Sequence, residues 1–587
     1  MCNPLSKVCA FTFPKSVWTP TKPALIWMKQ PITKPNTMAP IPTIRMVLFA
    51  PSQFGTLIWM KEKIKIRIPM NNIADIFLFI STNINSQNNF PKNYFSNPLD
   101  IELILNGNFG ESRPSHFHSG IDFKTQFKEG LDVFSSAEGY VSRISIKHGG
   151  FGKALYINHP NGFTTVYAHL KNFNKKIEDY IKKLQYDKKS YQIEHYLKKD
   201  IIKILKNENI GKSGNTGSSF GPHLHYEIRL TKNQKAINPQ LFEIDIKDTR
   251  RPTVSSVFLY KIDSLNEISD PIKLKIEKIN DSVYQSNEVL ASGKIGFGIS
   301  GFDRQNLANN KNGIYKYSTV YDDTKNIEFN FNSFFFEESI KIKTLIDYKY
   351  YIKNKSRIVK LFKDHGNNLS IYSNNKSGFI NIEKDISMYQ ITVADLKENK
   401  SFIKIPIIKG KNSIDSLKKD NSTVFNTSID NKLDYNFEFE NANIKIAKNT
   451  FLKNVKINLS SSKDSIKIIN NEIAVFKNIK ISFYNKKKRK GNYLALKDDN
   501  GNETFASAKL DNKNYFYHKT KSLGTYFIKN DSLNPSIELK NFKNNDWISN
   551  KNSIKIKILD KETGIKNYNV KINGKWILFE YEYKRNE

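Results

Sequence analysis

Cysteine is nearly absent: the 587 residues hold two, Cys2 and Cys9. A disulfide scaffold is excluded for everything beyond them, and so is a cysteine-based zinc site. No apolar run approaches the ~20 residues that a membrane-spanning helix needs, so no transmembrane helix is expected. Arginine is scarce beside lysine within a formal net charge of +35. Nucleic-acid readers draw on the planar fork of Arg, and this charge is diffuse, with no single basic motif. Abundant Lys, Asn, Ile, Phe and Tyr fit an AT-rich coding sequence, and no nucleic acid is expected as a partner. A polycation is still attracted to anionic polymers, including those of a cell envelope.

Acidic residues are missing from the first 69 positions, where Glu62 stands alone. That stretch also carries half of the 20 prolines, three of the five tryptophans (Trp18, Trp27 and Trp59) and both cysteines. The break in composition marks residues 1–69 as an atypical extension, either a start codon placed too early or a real disordered or membrane-contacting arm. Residues 70–95 follow as a leader and linker. Lys61, Lys63, Lys65 and Arg67 precede a short apolar run from Ile73 to Ile80, the outline of a secretory signal. Asp75 interrupts that run, no small-x-small cleavage site is clear, and a short buried strand or helix is the other reading.

A chain of this length should hold roughly two to four domains, and 39% hydrophobic and 12% aromatic residues can build their cores. Residues 96–245 are strand-rich and punctuated by glycine. Val141 to Ile146 alternates, Ala154 to Asn158 and Thr164 to Ala168 are β-branched or aromatic, and Asn161-Gly162 marks a turn. In the midst of these, Ile177, Tyr180, Ile181 and Leu184 recur at helical spacing, which predicts a helix within a surface insertion at about 173–206. Beyond Asn238-Pro239, short β-type runs separated by Asn, Lys, Ser and Asp suggest a β-sandwich-like module at 246–400 and a β-rich C-terminal region at 401–587. The fold class is therefore mainly β: a compact antiparallel sheet domain with a helical insertion, then sandwich-like modules.

Eight of the ten histidines lie between 116 and 225. In a chain without usable cysteines, such clustering points to a metal held by nitrogen and oxygen. In His116-Phe117-His118-Ser119-Gly120-Ile121-Asp122, a fully extended chain would hold His118 and Asp122 about 13 Å apart. Ser119-Gly120 can turn the chain and close that gap; a turn with a solvent-exposed His is the alternative. In Gly221-Pro222-His223-Leu224-His225-Tyr226-Glu227-Ile228, period two sends His223, His225 and Glu227 to one face and Leu224, Tyr226 and Ile228 to the other. That fits two imidazoles looking into a cleft, or two ordinary half-exposed histidines. His169, in Tyr167-Ala168-His169-Leu170, gains meaning only beside those stretches. Gly211-Lys212-Ser213 is no phosphate loop, because Lys206 stands where a Walker motif requires glycine. No H-E-x-x-H occurs either.

These segments, with Asn108 to Arg113, Ala137 to Val141, Gly152 to Ile157, His159 to Gly162 and Ser213 to Gly217, follow one another in a familiar order. Over most of residues 105–240 the chain resembles the lysostaphin- and LytM-type zinc endopeptidases. The helical insertion after Leu170 departs from the smallest members. The resemblance implies a compact antiparallel sheet crossed by a groove. It implies His118, Asp122 and His225 as ligands of Zn2+, and His169 and His223 as the pair acting on water and the transition state. Three protein ligands leave a fourth position open, as a catalytic zinc site requires. His223 is placed as a general base, and His169 as a donor to the developing oxyanion. Glu227 is either the partner that orients an imidazole or an exposed charge, and Arg113 is a candidate contact for a substrate carboxylate. His116, His148, His159 and His195 are read as non-ligands, with His116 a candidate to line the cleft.

The function expected is hydrolysis of peptide cross-links in bacterial peptidoglycan by an exported enzyme of the periplasm or cell envelope. Peptidoglycan peptides are the expected partners, with other envelope proteins reached through the C-terminal modules. The alternatives are a non-catalytic peptidoglycan-binding or hydrolase-activating protein, a chain whose β-rich tail is the working part, and a protein substrate in place of cell wall.

Overall fold

A computed structural model of the chain describes residues 90–410, 426–470, 472–498 and 500–585. The extension 1–69 and all but the last six residues of the 70–95 leader lie outside the described residues. The described chain is mostly strand, arranged largely in antiparallel sheets with few helices. Among the described residues no helix is long and apolar enough to cross a membrane.

The region that holds the histidines begins with β1 (Leu105–Gly107), β2 (Ile121–Lys124), β3 (Asp132–Phe134), β4 (Gly139–Ile146), β5 (Lys153–Asn158), β6 (Phe163–Ala168) and β7 (Asn172–Phe173). Helix α1 (Lys175–Lys188) follows, then β8 (Ile193–Tyr196), β9 (Lys203–Ile204), β10 (Asn209–Lys212), β11 (His223–Leu230) and β12 (Ala236–Ile237). The main sheet runs β1-β2-β11-β6-β5-β4-β8, with β9 pairing β4 and β12 pairing β11. A smaller sheet of β3, β10 and β7 lies beside it.

Period-two patterning explains the core. Leu224, Tyr226 and Ile228 of β11 are fully buried on the face that also carries Tyr167 of β6, Leu155 of β5 and Ile144 of β4. Helix α1 starts where Asn174 accepts a hydrogen bond from the Ile177 amide, and it buries Ile177, Ile181 and Gln185. The insertion does more than cover the surface. Its strand β8 pairs with β4 along Arg143 to Ile146 and so extends the main sheet by one strand.

Downstream, the strands Thr253–Ile262 and Gly293–Phe302 anchor one sheet, and Ile386–Ala394 and Lys400–Lys409 anchor another. The pairing there is not wholly antiparallel: the short strands Val283–Ser286 and Val289–Ala291 run parallel to Lys400–Lys409. A two-residue strand, Ser333–Phe334, crosses back to pair with β12. Phe334 and Phe331 then pack against Phe117, one residue from His118. Between 427 and 530, a six-stranded and a four-stranded sheet share one apolar core. Ile457, Ile466 and Tyr526 enter it from one sheet, and Ile444, Ile481 and Phe516 from the other.

Asp248, Asp303 and Asp395 come from three segments and bring carboxylate oxygens within 4.8 Å of one another. Burial, then the charges of Asp248 and Asp395, push the Asp303 carboxyl up to about 8. Its Oδ1 is buried without a hydrogen-bond partner. The folded carboxyl keeps its proton up to that pH, whereas the unfolded one loses it near 4. The unfolded state therefore binds fewer protons between about pH 4 and 8, and stability falls as pH rises through that window. Replacing Asp303 by Asn should remove its share of the dependence, while burial of Asp248 and Asp395 keeps theirs, giving a stability gain on the order of 1–3 kcal/mol at pH 8 that shrinks toward pH 4. Thermal unfolding of both proteins across that range checks it; a pH-independent difference would contradict the reading.

Candidate metal centre

Strand pairing assembles the site. β11 lies between β2 and β6, and His225 stands opposite Asp122 on one side and Ala168 on the other. His118 lies just before β2. The chain comes close to β11 at Gly120, where a Cβ would sit 2.4 Å from the Tyr226 carbonyl oxygen. Only glycine allows that approach, which carries His118 and Asp122 to the same ion-sized space. His169, one residue beyond β6, has φ 59°. This left-handed residue ends the strand and turns its imidazole toward His223, with ring centroids 4.7 Å apart.

Three donor atoms converge. His118 Nε2 is 3.1 Å from Asp122 Oδ1 and 3.1 Å from His225 Nδ1, and His225 Nδ1 is 2.9 Å from Asp122 Oδ1. The opposite nitrogens fix the tautomers. His118 Nδ1 donates to the Asn108 carbonyl at 2.8 Å, and His225 Nε2 donates to Glu227 Oε1 at 2.9 Å. With the outer nitrogens committed, the two inner nitrogens are aimed at each other beside a carboxylate. Such an arrangement is repulsive unless a cation fills it. Ligands ~2.0–2.1 Å from a tetrahedral ion lie about 3.3 Å apart, within a few tenths of an ångström of these separations. The residues present therefore fit a divalent metal with nitrogen and oxygen ligands.

The electrostatics agree. Burial would raise Asp122, but His118 and His225 outweigh it and hold its carboxyl well below the usual range. Burial opposes charge on His225, yet Asp122 and Glu227 lift that imidazole to about 9. The cluster thus favours positive charge at its centre.

The second pair of histidines sits at the rim of the same cluster. His223 Nδ1 donates to the Gly221 carbonyl at 2.8 Å, and its Nε2 is 3.5 Å from Asp122 Oδ1. His169 Nδ1 donates to the Thr216 carbonyl at 2.8 Å. Both rings therefore leave an Nε2 lone pair for the site. Burial lowers His223, and burial with the neighbouring imidazoles lowers His169 to about 3. Both are neutral at physiological pH and able to take a proton.

Glu227 is fully buried, accepts from Ser119 Oγ at 2.5 Å as well as from His225, and pairs with Arg229. It orients His225 and is not an exposed charge. Burial would raise its carboxyl, but Arg229 and His225 bring it down to about 2. Arg113 is engaged within the protein, with Nη2 3.2 Å from Asp122 Oδ2 and 3.5 Å from Glu111. His116 is exposed, with Nδ1 beside Ser115. His148 stacks on Tyr191, His159 bonds the Glu138 carbonyl and Thr165, and His195 bonds Tyr180. None of these four joins the cluster.

Asn108 was not legible as a functional residue. Its carbonyl holds His118, and its side chain is clamped by both backbone groups of Gly313. No local pattern in the sequence announces a contact spanning 205 residues.

Residues 116–186 match Peptidase family M23. A protein of Haemophilus influenzae, named an uncharacterized metalloprotease, is 33% identical over 130 residues, which is 22% of this chain and 21% of that protein. The DD-carboxypeptidase/endopeptidase Mpg of Neisseria meningitidis serogroup B is 34% identical over 122 residues, 21% of this chain and 22% of its own length. The peptidoglycan DD-endopeptidase ShyA of Vibrio cholerae is 30% identical over 137 residues, 22% of this chain and 26% of its own length. The chain thus spans about a fifth to a quarter of the curated relatives it matches. The family match lies within the region that carries most of the histidines.

Proposed function

From that match we propose that the chain is a zinc-dependent endopeptidase that hydrolyses peptide cross-links of bacterial peptidoglycan at the cell envelope. The observation that carries this reading is the convergence of His118 Nε2, Asp122 Oδ1 and His225 Nδ1 within 3.1 Å, with their outer nitrogens fixed as donors. Two imidazoles and one carboxylate suit Zn2+, and three ligands leave room for a reactant. Bound there, zinc supplies Lewis acidity toward a water and the scissile carbonyl.

The chain's own groups do the rest. His223 Nε2 accepts a proton as water attacks, since its Nδ1 is committed to Gly221. His169 starts with no hydrogen on Nε2, because Thr216 holds the one on Nδ1. It becomes a donor to the oxyanion or the leaving amine only after taking up a proton, the second one of the attacking water, and its low affinity for that proton then makes it a strong acid. Glu227 holds the His225 tautomer, and Arg113 holds the second oxygen of Asp122. Replacing Glu227 by Gln should weaken zinc binding about 10–100-fold, read by competition with a chromophoric chelator; unchanged affinity would remove Glu227 from the site.

Peptidoglycan as substrate is supported by the name of the Vibrio cholerae relative, a peptidoglycan DD-endopeptidase, and by the attraction of a +35 chain to anionic wall polymers. Digestion of purified peptidoglycan with and without chelator tests the proposal. Mass spectrometry should find new peptide termini, lost with chelator and restored by zinc. Intact sacculi, or cleavage of the glycan alone, would overturn it.

A further inference from the structure

The last described stretch, residues 568–585, returns to the histidine-bearing domain. Glu580 meets the Lys153 ammonium at 2.9 Å. The Lys153 side chain is 5% exposed, and this is its one ion pair among the described residues. Lys584 donates to the carbonyls of Asn215 and Ser219, the latter at 3.2 Å. The Tyr583 hydroxyl donates to the Gly217 carbonyl at 3.4 Å. Rings seat the stretch: Tyr581 is edge-on to His148 at 5.3 Å, and Trp576 meets Tyr186 of α1 at 5.3 Å.

Residues 215, 217 and 219 belong to the loop that joins β10 to β11. The same loop presents both rim histidines, through the Thr216 carbonyl to His169 and the Gly221 carbonyl to His223. Carbonyls of alternate residues thus face opposite ways: 215, 217 and 219 meet the returning stretch, and 216 meets His169. Beneath, the loop rests on Gly150 and Gly152 so closely that a Cβ on Gly217 would lie 2.3 Å from the Gly152 nitrogen. It is irregular chain, so its position depends on what grips it from each side. An ammonium donating to two carbonyls is the stronger, charge-assisted kind of grip.

We infer that Glu580, Tyr583 and Lys584 form a positioning strap that holds the 215–221 loop so that His169 and His223 face the candidate metal, making this distant stretch part of the peptidase site. The inference rests on the peptidase reading above. It assigns the three residues a positioning role, since none of them touches the three candidate ligands.

The test uses the full chain carrying Glu580→Gln with Lys584→Met, and separately Lys584→Met alone, a surface change that leaves the buried Lys153 paired. Hydrogen exchange should quicken at the loop amides, those of Ser218 and His223 included, with zinc content unchanged. Turnover on peptidoglycan should fall about 10–100-fold at unchanged KM, the scale expected when reacting groups are misplaced. Unchanged loop exchange would overturn the strap. Parallel loss of zinc would too, and so would a rise in turnover, which would make the stretch a plug. Exchange does not depend on activity, so the two readings fail separately. A wild type that cleaves nothing while the variant's loop loosens removes the peptidase reading alone; an active wild type with an unaffected loop removes the strap alone.

Discussion

His225→Ala should leave a folded protein that no longer retains zinc and no longer cleaves peptidoglycan. The residue does three things at once. Its Nδ1 is one of three donors, its ring closes the triangle with His118 and Asp122, and its Nε2 satisfies a carboxylate buried beneath it. Losing only an orienting partner costs about 10–100-fold in metal affinity, so losing the donor itself should cost more. Without the ion, the pKa of water returns from about 7 toward 15.7, and turnover should drop to the assay background. Glu227 keeps Arg229 as its partner, so the fold should survive. Metal content by mass spectrometry, with circular dichroism alongside, checks this. A variant that keeps stoichiometric zinc would show that the ion lies elsewhere.

The second large effect separates chemistry from binding. His223→Ala should keep zinc, because its Nδ1 is committed to the Gly221 carbonyl and its Nε2 stands 3.5 Å from Asp122 Oδ1, outside the triangle of the three donors. Turnover should fall about 10²–10⁴-fold, the range for a positioned general base, with little change in KM. The pairing of the two outcomes is informative. Metal loss in both variants would make His223 a ligand, and full activity in His223→Ala would pass the proton transfer to His169.

Much of the site could be read from the sequence because strands encode their faces locally. The alternation His223, His225, Glu227 against Leu224, Tyr226, Ile228 is enough to predict a polar face over a buried one, and β11 has that arrangement. The helix from Lys175 to Lys188 follows equally from Ile177 and Ile181 one turn apart. What escaped depends on pairing between distant segments. Whether Glu227 faces solvent or His225 is decided by Ser119 and Arg229 closing over it. Arg113 is drawn inward because Asp122 lies beside it once β2 is in place. β8 has no pattern to say that it will join β4. The longest-range cases, Gly313 on Asn108 and Glu580 on Lys153, join residues hundreds of positions apart, where no periodicity reaches.

The most direct measurement is the zinc-edge X-ray absorption of the zinc-loaded chain. The account predicts one ion with two imidazole nitrogens and a carboxylate oxygen at ~2.0–2.2 Å, one further light atom, and no sulfur. In His225→Ala the imidazole scattering should be lost together with the bound zinc. A six-oxygen shell, or an imidazole signal unchanged by that substitution, would contradict it.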